Sequence, residues 1–112
     1  MNLTGKSVSL RIIVAESDRI HGKPLYEEIV KKARELNLAG ATVTRGIMGY
    51  GGTSRIHTAK VMRLSEDLPV IIEIVDEQED IERLLPFLEE HLTDGLVYAT
   101  PCDVKVYTYK KD

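Results

Sequence analysis

From Gly40 to Leu64 the chain carries glycines and cationic side chains but no aspartate or glutamate. In a protein of 112 residues with formal net charge −3, such a run is a local positive field. Gly46, Gly49, Gly51 and Gly52 permit positive φ, which lets backbone N–H groups converge on an anion. Arg45, Arg55, Lys60 and Arg63 add charge beside them. The chemistry that suits these residues is capture of a phosphate-bearing small molecule, each cation making a charge-assisted contact. The same glycines also suit plain chain reversal, and the same cations an ordinary solvated surface, so residue type leaves both readings open. Arg55 is the best single candidate for a phosphate contact, because it stands in the run Ser54-Arg55-Ile56-His57 close to the glycines. His57, with a reference pKa of about 6.5, could contact phosphate or titrate near neutrality. Tyr50 would stack on a base or cap the loop.

Catalysis finds less support. Ser54 and His57 are close enough to suggest a nucleophile and its base, but neither an orienting acid nor an oxyanion motif accompanies them. No enzymatic activity is expected. His21, His57 and His91 have no metal-binding spacing, and the single cysteine, Cys102, excludes an internal disulfide framework and reads as a buried strand thiol. Neither a metal nor a required cofactor is expected.

Composition bounds the class. A chain with 43% hydrophobic and 29% charged residues fits one globular domain over residues 1–112. No segment approaches the roughly 20 apolar residues of a membrane span, and the start lacks the apolar stretch of a signal peptide. A cytoplasmic protein with no membrane insertion is expected. The pI of about 5.6 argues against a general nucleic-acid binder, which needs a surplus of cations.

The elements that must position the glycine-rich run follow from periodicity. Val8, Leu10, Ile12 and Val14 alternate within a first strand at Ser7 to Ala15, and Glu16 to Gly22 is a polar connection. From Pro24, Leu25, Ile29, Ala33 and Leu36 recur at helical spacing, with Asn37 and Gly40 as exit signals. Ala41 to Ile47 is a second strand. The connection from Met48 to Pro69 is too long to be passive and is expected to be a functional loop, with a projecting hairpin or a short helix around Ile56 to Leu64. Val70 to Val75 is a nearly continuous apolar run, expected to be buried on both faces. Ile81, Leu84, Leu85, Leu88 and Leu92 mark a second helix that Pro86 must bend, and Leu96 to Tyr109 is a final strand region interrupted near Pro101. The order β-α-β, long loop, β-α-β predicts an α+β fold of the ferredoxin-like type, a four-stranded antiparallel sheet with two helices on one face. The bare face is expected to be covered in an oligomer.

Several motifs also match a family. Leu38-Ala39-Gly40-Ala41-Thr42-Val43-Thr44, followed by Gly49-Tyr50-Gly51, resembles the signature that leads into the T-loop of PII signalling proteins. Gly22-Lys23-Pro24-Leu25-Tyr26, Ser54-Arg55-Ile56-His57-Thr58-Ala59 and Leu64-Ser65-Glu66-Asp67-Leu68-Pro69 are more similar to the PII-like group known as domain-of-unknown-function family 190. The resemblance covers nearly the whole chain and implies a homotrimer with ligand clefts between subunits and T-loops that respond to an adenine nucleotide. Thr42, Gly49 and Gly51 fall where PII proteins line the nucleotide cleft. Where PII proteins hold the triphosphate with two lysines and two arginines, this chain has Val70, Leu96, Tyr107 and Tyr109. The resemblance therefore implies AMP or ADP rather than ATP as ligand, and together with the residues read from the loop itself the expected nucleotide-binding set is Thr42, Arg45, Gly49, Tyr50, Gly51, Gly52, Arg55 and His57. The expected function is regulation of a partner protein, a transporter or an enzyme. The alternatives are a ligand-independent interaction module docking on such a partner and, more weakly, a small-molecule enzyme.

Overall fold

Alternating apolar residues give β1 (Gly5–Ala15) one face for the core, where Leu10, Ile12 and Val14 are buried and Val8 packs at the margin. The computed structural model describes residues 5–52, the backbone of 57–58, and residues 67–110. After β1 the expected polar connection contains a small hairpin, β2 (Arg19–Ile20) paired with β3 (Lys23–Pro24). His21 and Gly22 close it with φ of 51° and 78°, the pair of positive values that a type I′ turn requires.

Helix α1 (Leu25–Glu35) starts directly after Pro24, buries Leu25, Ile29 and Ala33, and stops in a Schellman motif. Asn37 adopts φ 62°, its N–H donates to the Arg34 carbonyl (3.0 Å), and the Leu38 N–H donates to the Ala33 carbonyl (3.0 Å). The second strand is shorter than expected, β4 (Thr42–Arg45): the Gly46 N–H still donates in register to the Pro69 carbonyl (2.7 Å), but Pro69 has no N–H to return, and the pairing ends there. Beyond it β5 (Met48–Gly49) pairs antiparallel with β6 (His57–Thr58), a two-stranded stem at the base of the glycine-rich segment. The helix expected around Ile56 to Leu64 falls largely outside the described residues.

In β7 (Pro69–Asp76) Val70, Ile72 and Ile74 are buried, while Ile71, Glu73 and Val75 are half-buried. This corrects the expectation of burial on both faces. Among the described residues helices cover only one side of the sheet, and the other side stays open. The second helix is divided by Pro86 into α2 (Gln78–Glu82) and α3 (Leu85–His91), with the proline in the first turn of α3, where its missing N–H costs little. Fully buried Leu84 fills the core at the break. Strand β8 (Leu96–Val104) runs through Pro101 without interruption and ends earlier than expected. Within the described chain β8 pairs with β1 alone, and an edge strand tolerates proline because alternate N–H groups point away from the ladder.

The sheet order is β4-β7-β1-β8, and every pairing is antiparallel. Each of the two crossovers therefore skips one strand, as the ferredoxin-like plan demands. One cluster unites Leu10, Ile12, Ile72 and Ile74 of the sheet with Ile29, Ile81, Leu84 and Leu88 of the helical layer. On the bare face the Ser9 hydroxyl and Arg11 Nε both donate to Glu73 Oε2, at 3.1 and 3.2 Å. Beside them Ile13 stands in register between Ile71 and Leu96.

Candidate functional site

Three strand ends meet at one edge of the sheet: the end of β1, the start of β7 and the start of β8. With the base of the glycine-rich segment they enclose a cleft of about 870 Å³. Its apolar floor is the upper end of the bare face, Ile13, Ile71 and Leu96, with Met48 from the stem. Gly49, Tyr50, Gly51 and Gly52 form the wall on the segment side. Gly95 closes the opposite wall, its backbone pressed so closely onto β1 that an added Cβ would lie 2.8 Å from the Ile13 carbonyl oxygen.

Backbone geometry decides part of what the glycines do. None of Gly46, Gly49, Gly51 and Gly52 has positive φ; among the described glycines that conformation belongs to Gly5, Gly22 and Gly95. The expectation of left-handed glycines in the segment is thus corrected. Gly46 and Gly49 are required instead by packing on the Pro69 ring, where added Cβ atoms would meet Cγ at 2.8 and 3.1 Å. The Gly46 N–H is already committed to the Pro69 carbonyl, so it is not a free donor for an anion. Gly51 and Gly52 have open space around them.

The expected positive field rests largely on Arg55, Lys60 and Arg63, which lie outside the described residues. The charged side chains lining the cleft, among the described residues, are Asp18, Asp67 and Asp94. The Ser17 hydroxyl donates to Asp67 Oδ1, and the Ala15 N–H donates to Asp18 Oδ2 (3.1 Å). Burial pushes the Asp18 carboxyl above its ordinary value; the Ala15 N–H opposes the rise, and Asp94 and Asp67 add to it. A run free of acids along the chain is therefore met by acids from three other segments in space. Arg45 is paired with Glu16 and lies outside the lining.

The raised value at Asp18 carries a sign. A carboxyl whose folded value exceeds the unfolded value of about 3.9 costs stability when ionised, and that cost fades as pH falls through the folded value. Asp18→Asn keeps an oxygen to accept the Ala15 N–H, so it should raise Tm at pH 7, with the gain shrinking towards pH 4. Thermal melts at the two pH values check this, and an equal gain at both would refute it.

Of the expected nucleotide-binding set, Gly49, Tyr50, Gly51 and Gly52 come together on the cleft wall. Thr42 is exposed on β4, in register with Glu73, and is not part of the lining. Arg55, with Ser54, Lys60 and Arg63, lies outside the described residues, and His57 is described only as the backbone partner of Gly49. Ser17, Asp18, Asp67 and Asp94 were missed as site residues. The signal that could have found them is topological, since each flanks a strand end that the ferredoxin-like order places at the same edge. Among the described residues no group of three His, Cys, Asp or Glu side chains is arranged to hold a metal ion. Cys102 is half-buried on β8 as a free thiol. No helix of the described chain is long and apolar enough to cross a membrane.

Known proteins share this architecture. Nitrogen-regulatory PII-like CPII from Thiomonas intermedia, in a structure described as bound to ADP, AMP and bicarbonate, aligns with TM-score 0.64 and 20% identity over 90% of each chain. A candidate PII-like signalling protein from Thermus thermophilus aligns with TM-score 0.63 and 24% identity over 94% of each chain. At these identities the likeness establishes the ferredoxin-like PII fold. Sequence relatives are nearer: a UPF0166 protein of Aquifex aeolicus is 46% identical over 85 residues, 76% of this chain and 78% of its own. A UPF0166 protein of Methanocaldococcus jannaschii is 41% identical over 107 residues, 94% of this chain and 98% of its own. The model of family DUF190, described as Uncharacterized ACR, COG1993, matches residues 7–104, and with these relatives it places the chain in that family.

Proposed function

We propose that this protein is a non-enzymatic regulator of the PII-like kind that binds an adenine nucleotide in the cleft at the root of residues 46–68. On this reading it works in the cytoplasm as a homotrimer built on the bare sheet face, and nucleotide binding reshapes the T-loop-like segment for a partner protein. The observation that carries the reading is the cleft itself, an apolar floor under Tyr50 with hydrogen-bond acceptors along one side. Concave, largely apolar sites with a few placed polar groups are where small ligands bind. Ribose hydroxyls are donors that suit Asp18 or Asp94, as acidic residues serve in other nucleotide sites. With only acids among its described charged lining residues, the cleft gains repulsion with each added phosphate, which favours AMP or ADP over ATP. The structural neighbour described with ADP and AMP supports the same choice.

Calorimetric titration with AMP, ADP, ATP and cyclic nucleotides tests the proposal. AMP and ADP are expected to bind more tightly than ATP, and absence of any binding below roughly millimolar would refute it. A second reading, a docking module that needs no ligand, is favoured by one observation: Ile47, Met48 and Tyr50 at the segment's root are 77, 59 and 70% exposed. Pull-down with and without nucleotide separates the two, equal recovery supporting the second.

A further inference from the structure

Arg45 and Glu16 form an ion pair at the margin of the cleft, and its two halves are not equally free. The Glu16 side chain is 20% exposed, and its own N–H donates to the Leu68 carbonyl (2.9 Å). The Arg45 side chain is 61% exposed. Its backbone is held by the β4–β7 ladder and leads into Gly46, which is fixed on Pro69. The guanidinium is therefore the part able to change partner. Ala15, Ser17 and Gly46, the chain neighbours of the pair, all line the cleft, although Glu16 and Arg45 do not. Among the described residues no lysine or arginine lines the cleft, and Arg45, next in the chain to the lining Gly46, would meet a phosphate there by turning inward.

We propose that Glu16 gates Arg45: without ligand its carboxylate holds the guanidinium at the margin, and the phosphate of a bound nucleotide draws it over the opening. This rests on the nucleotide reading above and adds the pair that sets how strongly phosphate is recognised. An exposed carboxylate–guanidinium pair contributes little, so it is easily exchanged. A phosphate monoester carries a charge of about −1.5 to −2 and three acceptor oxygens, and a guanidinium binds it in bidentate fashion. Opposing the exchange, Glu16 is left without its partner and with a second carboxylate, Asp18, two residues along the chain. Removing the Glu16 charge abolishes both the competition and that repulsion.

The test is calorimetric titration of the full chain, wild type and variants, with adenosine and with AMP. Glu16→Gln should bind AMP roughly two- to fivefold more tightly. Arg45→Gln should bind it about tenfold more weakly, and the double variant should behave as Arg45→Gln. Adenosine, which has no phosphate, should bind all four proteins alike. Thermal melts verify folding; if Arg45→Gln does not fold, Arg45→Lys, which keeps charge but loses the planar fork, should show an intermediate loss. AMP binding that is unchanged or weaker in Glu16→Gln, or undiminished in the Arg45 variant, overturns the gate and leaves the nucleotide reading standing. Binding of neither compound by wild type overturns both.

Discussion

Asp76→Ala is expected to destabilise the fold by about 3 kcal/mol, a fall in Tm of roughly 10–15 °C for a chain of this size. Asp76 is fully buried at the end of β7, and its two oxygens accept from separate backbone donors, the Ala39 N–H (2.8 Å) and the Glu77 N–H (2.7 Å). One bond ties the exit of α1 to the sheet; the other sets the entry to α2. Truncation leaves both donors without this acceptor and opens a void beside them, and a lost partner costs more than a hydrogen bond contributes on average. The other side of the Ala39 peptide supplies the control. Its carbonyl accepts from the Tyr107 hydroxyl (2.7 Å), so Tyr107→Phe removes one half-exposed bond and should cost about 1 kcal/mol. Chemical denaturation of both variants checks the ranking. Equal losses would show that burial and charge at Asp76 do not matter as argued.

What could be read along the chain, and what could not, divides by the range of the interaction. The alternation in Val8 to Val14 and the helical spacing from Leu25 to Leu36 are local consequences of burial, and both elements stand where the pattern puts them. Asn37 ended its helix because a short amide side chain tolerates positive φ, a property of one residue. Pro86 signalled a disturbance, but whether the helix would bend or break depended on Leu84 finding a place in the core. The His21-Gly22 turn was missed because histidine is a less common choice than asparagine for the left-handed position. The cleft shows the same division. The glycine-rich run marked its position, but charge counted along the sequence could not show which acids face it. Asp18, Asp67 and Asp94 come from three separated segments, and only the sheet order brings them to one edge. The glycines were explained by backbone freedom, whereas Gly46 and Gly49 answer to the ring of Pro69, a partner twenty or more positions away.

Alanine at the cleft glycines should produce a graded series that separates packing from ligand binding. Gly95→Ala is expected to be the worst, at about 2–3 kcal/mol, as overpacking in a rigid site costs. The new Cβ would lie 2.8 Å from the Ile13 carbonyl oxygen and 3.2 Å from Leu92 Cδ2. Ile13 belongs to β1, paired on both sides by β7 and β8, so that carbonyl cannot retreat; the Asp94–Leu96 wall must move instead, widening the cleft. Gly46→Ala meets the Pro69 ring at 2.8 Å, but also Pro69 O at 3.4 Å, and should cost about 1–2 kcal/mol because a ring can shift a little. Gly49→Ala, at 3.1 Å, should cost less. Gly51→Ala and Gly52→Ala meet nothing within 4 Å, have no left-handed φ to lose, and should stay within about 0.5 kcal/mol of wild type. Denaturant unfolding gives this order, and a loss at Gly51 equal to that at Gly95 would contradict it. The same two silent substitutions then become probes of function. If backbone amides near Gly51 and Gly52 approach a phosphate closely, their alanine variants weaken AMP binding with stability intact. If those glycines serve chain reversal alone, AMP affinity stays unchanged while Gly95→Ala, by displacing the far wall, still weakens it.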